Sequence, residues 1–313
     1  MYSLVIPLYN EELMISVLRQ RLTAVLESLG VSWEIVFVDD GSSDRTLELL
    51  EEWQEAESRI VVVELSRNFG HQAAVIAGLE HSKGDVVAII DGDLQDPPEL
   101  LPAMHARLEE GFDVVYGVRK NRKENSVLKF CSWLAYRVIN SLAECSLPAD
   151  SGDFCTMRRC VVDRMLGLRE HFPYLRGLRA WLGYRQTPFE YDRDARAKGG
   201  SKYSLKDLVN LTRDGIYGFT RLPMKLVRLA GTGTIIFSCV YLSYMLIVYL
   251  AGHRPPAGFS TLIVVACLFA GAQLFSIGLL GEYVCRIYED VRGRPRYVVR
   301  NVTGRMKNTD SSS

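Results

Sequence analysis

The sequence predicts an α/β fold with a mainly parallel sheet, joined to a hairpin of two membrane-crossing helices. Three observations carry that expectation. Over residues 1–120 apolar, β-branched runs alternate with amphipathic stretches, the pattern of strands linked by right-handed helical crossovers. Several of these runs end in carboxylates, where open α/β sheets gather their ligands. Farther on, segments 229–251 and 259–281 are uncharged and apolar, and about 20 such residues suffice to cross the hydrocarbon core.

Strands are expected near 2–6, 33–38, 60–65, 85–90 and 113–117, with helices such as 13–29 and 47–57 between them. The first strand, Leu4-Val5-Ile6, breaks at Pro7 and presents Tyr9, Asn10 and Glu11 on a loop before a helix. Val36-Phe37-Val38 ends in Asp39 and Asp40, and Ser43 or Asp44 is placed to cap a helix starting near Thr46. The continuous run Val86-Val87-Ala88-Ile89-Ile90 reads as a strand covered on both faces. It opens onto Asp91-Gly92-Asp93, two carboxylates two residues apart, which suit a divalent cation; a solvated Asp-Gly turn is the bland alternative. Gln95 and Asp96 add oxygen ligands or partners behind them, and Pro97-Pro98 then opens a helix.

Other chemistries are disfavoured. No Gly-x-Gly-x-x-Gly follows a strand, Gly231-Thr232-Gly233 lies in an apolar segment, and no phosphate-cradling Gly-x-x-x-x-Gly-Lys-Ser/Thr occurs. A bound nucleotide must then be held through a metal and side chains. The 7 cysteines form no Cys-x-x-Cys pair, which removes a zinc site and a disulfide framework and points to a reducing compartment. His71 and His81 read as helix-surface residues, since the 5 histidines lack metal-ligand spacing. With 37 basic and 37 acidic residues the chain carries no net charge, which by itself says nothing about a nucleic-acid partner; none is among the expected partners. Met1 leads straight into the first strand, without a cleavable signal sequence.

Two cationic loops remain. Arg119, Lys120, Arg122 and Lys123 follow the fifth strand, and Arg196-Ala197-Lys198-Gly199-Gly200-Ser201-Lys202-Tyr203 precedes the membrane hairpin. Attraction to anionic lipid is one reading, at about 1 kcal/mol per Lys or Arg. The sharper reading is a clamp for a phosphate group, using Arg119, Arg196, Ser201, Lys202 and Tyr203. Segments near 127–145 and 205–220 mix apolar and basic or polar residues as interfacial helices do. Basic residues flank the hairpin on both outer sides, Arg221, Lys225 and Arg228 before it and Arg286, Arg292, Arg294, Arg296 and Arg300 after it, which places both termini in the cytoplasm. The expected organisation is a domain over 1–225, a hairpin over 226–283 and a cytoplasmic tail over 284–313.

Taken together, Pro7-Leu8-Tyr9-Asn10-Glu11, Asp39-Asp40-Gly41-Ser42, Asp91-Gly92-Asp93-Leu94-Gln95-Asp96-Pro97-Pro98, Gly152-Asp153-Phe154 and Gly200-Ser201-Lys202-Tyr203 resemble family 2 glycosyltransferases. The nearest group in pattern is the dolichyl-phosphate mannose synthase-like enzymes that act on bacterial polyprenyl phosphates, and Gly278-Leu279-Leu280-Gly281-Glu282-Tyr283 through Arg294-Pro295-Arg296-Tyr297 is similar to the bactoprenol-linked members. Gly92 departs from the group, where Ala is frequent.

The resemblance implies a GT-A-like domain in which Tyr9, Glu11 and Asp40 hold the nucleoside and Pro7 shapes its pocket. It implies that Asp91, Asp93 and Gln95 serve Mg²⁺ or Mn²⁺ and the diphosphate, with Asp93, Asp153 and Arg119 as the catalytic set. The expected reaction is inverting transfer of a hexose, UDP-glucose first among donors, to undecaprenyl phosphate at the cytoplasmic face of the inner membrane. N-acetylglucosamine or a 4-amino-4-deoxyarabinose derivative are alternative sugars. A processive polysaccharide synthase needs a Gln-x-x-Arg-Trp motif, which is missing, and a non-catalytic scaffold would not require Asp91, Asp93, Arg196 and Lys202. Gly271, Ala272, Gly278 and Gly281 would let membrane helices pack closely, as in a homo-oligomer.

Overall fold

In the computed structural model, the described residues are 1–119, 151–168, 175–192, scattered positions from 227 to 251, and 258–304. They fall into two units, one made of 1–214 with 295–313 and the other of 215–294. Lys120, Arg122, Lys123, Arg196, Ser201, Lys202, Tyr203 and the expected interfacial helices near 127–145 and 205–220 lie outside the described residues.

The first unit is a mixed eight-stranded sheet. Strands β1 (Tyr2–Leu8), β2 (Trp33–Asp39), β3 (Ile60–Leu65) and β4 (Val86–Ile89) run parallel in the order β4-β1-β2-β3. Every residue of β1, β2 and β4 is buried, as a parallel sheet covered on both faces requires. Helices α1 (Glu12–Ser28), α2 (Thr46–Ala56) and α3 (His71–His81) make the crossovers, and a 3₁₀ turn at Pro98–Leu100 leads into α4 (Leu101–Glu109). These strands and crossovers fall where the alternation of the sequence places them, except that β1 does not break at Pro7: the proline lacks only its own N–H donor, pairs with Val38, and the strand runs on to Leu8.

Register decides what the strands deliver. Leu8 pairs with Asp39, and Ile90 N–H donates to the Val5 carbonyl at 3.1 Å, so the loops after β1, β2 and β4 open on one edge. Helix α3 lies close over β1 and β2 because its Gly78 carries no side chain: a Cβ there would sit 2.3 Å from Val5 Cγ1 and 3.1 Å from Val38 Cγ2.

The sheet departs from an all-parallel order beyond β4. Strand β6 (Ser151–Arg158) inserts antiparallel between β4 and β5 (Val114–Arg119), and β7 (Gln186–Tyr191) lies parallel to β5 at the edge. Helices α5 (Arg159–Leu166) and α6 (Leu175–Trp181) stand between β6 and β7 in the chain. At the opposite edge β8 (Val299–Thr303) pairs antiparallel with β3. Ser66 N–H donates to the Val298 carbonyl at 2.8 Å, Arg300 meets Glu64 at 2.8 Å, Tyr297 donates to Glu80 and Arg296 to the Leu168 carbonyl. Part of the expected C-terminal tail is thus an edge strand of this sheet.

In the second unit, the described positions from 227 to 250 are helical and α7 spans Phe259–Arg292. Several large apolar side chains of α7 are exposed, among them Leu262, Leu274, Phe275 and Ile277. Among the described residues, however, no helix is long and apolar enough to cross a membrane. The first expected span is described only at scattered positions, and several side chains of 259–281 lie outside the description.

Because Val5 and Val38 are fully buried, neither can move aside freely for a methyl group at position 78. Gly78→Ala is expected to destabilise the sheet unit by about 1–3 kcal/mol through overpacking. Thermal melts followed by circular dichroism check this, and an unchanged Tm would show that α3 is not seated on the sheet as described.

Candidate active site

The loops after β1 and β2 are stitched to each other before they meet any ligand. Asn10 adopts φ 52°, a left-handed conformation that Asn tolerates, and its Oδ1 accepts from Ser43 N–H at 2.7 Å. Asn10 N–H donates to Ser42 Oγ at 2.9 Å and Glu11 N–H to Thr46 Oγ1 at 2.9 Å. Asp44 ties the start of α2 to that of α1, accepting from Thr46 N–H at 3.0 Å and from Glu12 N–H at 3.2 Å. These bonds leave the Tyr9 side chain exposed at the rim, beside buried Pro7.

Asp39 and Asp40 have separate duties. Asp39 Oδ2 accepts from Ser42 N–H at 3.1 Å, while its Oδ1 is buried and makes no hydrogen bond. Asp40 spends both oxygens on the loop before α3, accepting from Phe69 N–H at 2.7 Å and Gly70 N–H at 3.0 Å. Burial pushes both carboxyls above the usual range. Only glycine fits between them and this loop: Gly41 has φ 69°, and a Cβ would lie 2.5 Å from the Arg67 carbonyl carbon. Holding Gly70 fixes the next residue, His71, the first of α3.

His71 stands between two acids. Its Nε2 lies 3.3 Å from Asp153 Oδ2 and 3.6 Å from Asp91 Oδ1. Asp153, buried in β6, also receives Gln72 Nε2 at 3.1 Å and a two-pronged contact from Arg176, with Nε at 2.8 Å and Nη2 at 3.2 Å. Burial opposes the Asp153 carboxylate, yet the Arg176 charge and the hydrogen bonds from His71 and Arg176 hold it well below the ordinary range. Burial also opposes a charged His71, but the hydrogen bond to Asp153 and the charges of Asp91 and Asp153 outweigh it, and its pKa is pushed up to about 9. Asp91 goes the other way, pushed up to about 6 by burial.

Beside this cluster the acidic loop folds back on itself. Asp93 Oδ1 accepts from Gln95 N–H at 3.1 Å, with Leu94 between them at φ 52°. Asp96, fully buried, accepts from Tyr191 Oη at 2.5 Å and lies 3.5 Å from Arg119 Nη2. Tyr191 reaches across β5 because Gly117 leaves room: a Cβ there would sit 2.8 Å from the Tyr191 ring.

The fold therefore gathers Asp91, Asp93, Gln95, Asp153 and Arg119 at one edge of the sheet, with Pro7 near the end of β1 and Tyr9, Glu11 and Asp40 on the neighbouring loops. Four members escaped the sequence reading, His71, its neighbour Gln72, Arg176 and Tyr191. His71 reads as a helix-surface residue until Asp40 fixes the start of α3 under the acids; Arg176 and Tyr191 come from elements far along the chain. A glycine inside the strand pattern, Gly117, was the one local signal for Tyr191.

Residues 3–166 match the model of the glycosyl transferase family 2. The chain belongs to that family. An uncharacterized glycosyltransferase of Bacillus subtilis, YkcC, is 41% identical over 97% of this chain and 94% of its own length. The undecaprenyl-phosphate 4-deoxy-4-formamido-L-arabinose transferase of Salmonella enteritidis is 40% identical over 96% of this chain and 93% of its own. Among solved structures, the Pyrobaculum calidifontis mannosyltransferase PcManGT with GDP-Man and Mn²⁺ is 17% identical, covering 93% of this chain and 86% of its own, at a TM-score of 0.47. Family membership and the parallel β1–β4 core together make the fold GT-A-like, with a mostly parallel sheet.

A divalent ion fits the family 2 crevice. Asp91 Oδ1 is buried without a hydrogen bond, and Asp93 presents a second carboxylate two residues on. Mg²⁺ is typically held by one or two carboxylates together with substrate phosphates, which does not require a complete cage of protein ligands. Among the described residues no group of three or more His, Cys, Asp or Glu forms such a cage.

The His71 position has a pH signature. A group whose folded pKa is raised contributes stability that is fully present below its unfolded value, near 6.5, and is lost as pH rises through about 9. In EDTA, wild type is expected to exceed His71→Gln in unfolding free energy at pH 6, and the gap should shrink by pH 10. A gap that stays constant or widens over that range contradicts the His71–Asp153 pairing.

Proposed function

We propose that the protein transfers a sugar from a nucleoside diphosphate donor to a polyprenyl monophosphate, with inversion at the anomeric carbon. The observation that carries this reading is a buried carboxylate that its neighbours hold too firmly to serve as a strong general base. Asp153 is held as a carboxylate by Arg176, Gln72 and His71 beside the Asp91/Asp93 pair, so it takes up no proton near neutral pH. A sugar hydroxyl acceptor would need such a base, whereas a phosphate monoester, with a second pKa near 6, is already an anion.

In the reaction an acceptor phosphate oxygen attacks the anomeric carbon as its bond to the donor diphosphate breaks, giving the lipid-linked sugar and the free nucleoside diphosphate. Asp91 and Asp93 would hold the ion, with Gln95 beside them. When bound, the ion supplies positive charge to the leaving diphosphate. Arg119, oriented by Asp96 and Tyr191, adds a guanidinium at the same end of the sheet. Arg196, Ser201, Lys202 and Tyr203 complete the acceptor-phosphate clamp, a fork, two hydroxyls and an ammonium suited to a phosphate monoester.

Undecaprenyl phosphate is the acceptor that the Salmonella relative's name supports. The donor we assign first is UDP-glucose, and the second reading is a UDP-linked 4-deoxy-4-formamido-arabinose, favoured by the 40% identity to that relative. Segments 229–251 and 259–281 would form the membrane hairpin, with the catalytic unit and both termini at the cytoplasmic face of the inner membrane and membrane lipid around the spans.

Purified protein incubated with undecaprenyl phosphate and a panel of labelled UDP-sugars should yield label in the butanol-extractable lipid. Asp93→Asn is expected to lower that transfer by about 10²-fold or more, and EDTA to abolish it until Mg²⁺ or Mn²⁺ is restored. Turnover near wild type in Asp93→Asn at limiting Mg²⁺ would reduce the acid pair to a turn.

Arg196→Lys keeps the charge and loses the bidentate fork. In detergent micelles free of anionic lipid it should raise KM for undecaprenyl phosphate or lower kcat with UDP-sugar binding retained. Wild-type kinetics there would leave this loop as a lipid-surface patch only.

A further inference from the structure

Asp153 is satisfied by groups that also fasten two helices together. Gln72, on the first turn of α3, donates to Asp153 at 3.1 Å through Nε2 and accepts Leu175 N–H at 3.3 Å through Oε1. Arg176, the second residue of α6, closes on the same carboxylate with Nε at 2.8 Å and Nη2 at 3.2 Å. His71 Nε2 approaches the same Asp153 oxygen at 3.3 Å and Asp91 Oδ1 at 3.6 Å, so one ring nitrogen meets both acids. A buried carboxylate contacted in this way has its direction set by the helices around it. Without Arg176 it would lose its charge-assisted, two-pronged partner and could turn on its own side-chain torsions.

We infer that Arg176, with Gln72 as its bridge to α3, is the positioning residue that aims Asp153 at the sugar being transferred. The inference rests on the transfer reading above. Arg176 acts through Asp153, whose carboxylate its guanidinium grips with two prongs. Its removal should therefore be felt in turnover and not in donor affinity. A planar fork matters as well as charge, so lysine should restore part of what alanine loses.

The test is a double-mutant cycle on the full chain in detergent, with undecaprenyl phosphate and the UDP-sugar that wild type uses. Arg176→Ala is expected to lower kcat by about 10²-fold, the usual cost of misplacing an active-site group by about 1 Å, with KM for the donor within about twofold. Arg176→Lys should recover a measurable share of that loss. In an Asp153→Asn background, adding Arg176→Ala should cost less than about threefold more, since both changes remove one interaction. Gln72→Met, which keeps the side-chain size, should show the same kcat loss and the same lack of additivity, and melts of each variant verify folding. Fully additive losses, or a loss in donor KM with kcat preserved, overturn the positioning role while the transfer reading stands. A wild type that transfers no sugar from any donor overturns the reading and this inference with it.

Discussion

A carboxylate buried in a strand has to find partners on both oxygens, and Asp153 finds them on two helices that the sheet alone would not bring together. Arg176 comes from α6, Gln72 and His71 from the first turn of α3, and Asp153 itself from β6. Leaving such a group unsatisfied would cost several kcal/mol, so the positions of α3 and α6 over the sheet's edge are bound to the ionised state of one side chain. The same contacts that make the carboxylate tolerable inside the protein hold it well below the ordinary carboxylate range, which weakens it as a proton acceptor. Stability and mechanism here follow from one arrangement.

That arrangement needs α3 to begin at one place. Asp40 fixes it by accepting both backbone N–H groups of Phe69 and Gly70, and Gly41 makes the approach possible where any side chain would strike the Arg67 backbone. Gly78 then seats the body of α3 on Val5 and Val38. A family 2 motif read as a nucleoside contact thus also serves as the footing of a helix. Asp40 is almost fully buried and spends both oxygens on these backbone donors, so its described contacts are those of the footing.

The edges of the sheet are where local pattern and final structure part. Strand β6 runs antiparallel between β4 and β5, which keeps those two parallel strands from meeting and carries Asp153 to the crevice. Strand β8 closes the other edge and fixes the segment after β3 through the Ser66–Val298 and Arg300–Glu64 contacts. An uncovered edge strand exposes unpaired N–H and C=O groups, and β8 removes that exposure from β3.

By itself the sequence determined the parallel core and the acid sites. Unbroken apolar runs such as Val86-Val87-Ala88-Ile89-Ile90 can be buried on both faces only in a covered parallel sheet, and Asp39-Asp40 and Asp91-Gly92-Asp93 must then lie at its carboxyl edge. The motifs also sufficed for the family. Only tertiary structure decided that His71, an unremarkable residue at the start of a helix, faces two acids, and that Arg176 and Tyr191 reach Asp153 and Asp96 from 23 and 95 residues away in sequence. Periodicity reports which face of an element is buried and says nothing of which distant element covers it. Those pairings come from the order of strands in the sheet, which is set by the packing of the whole unit.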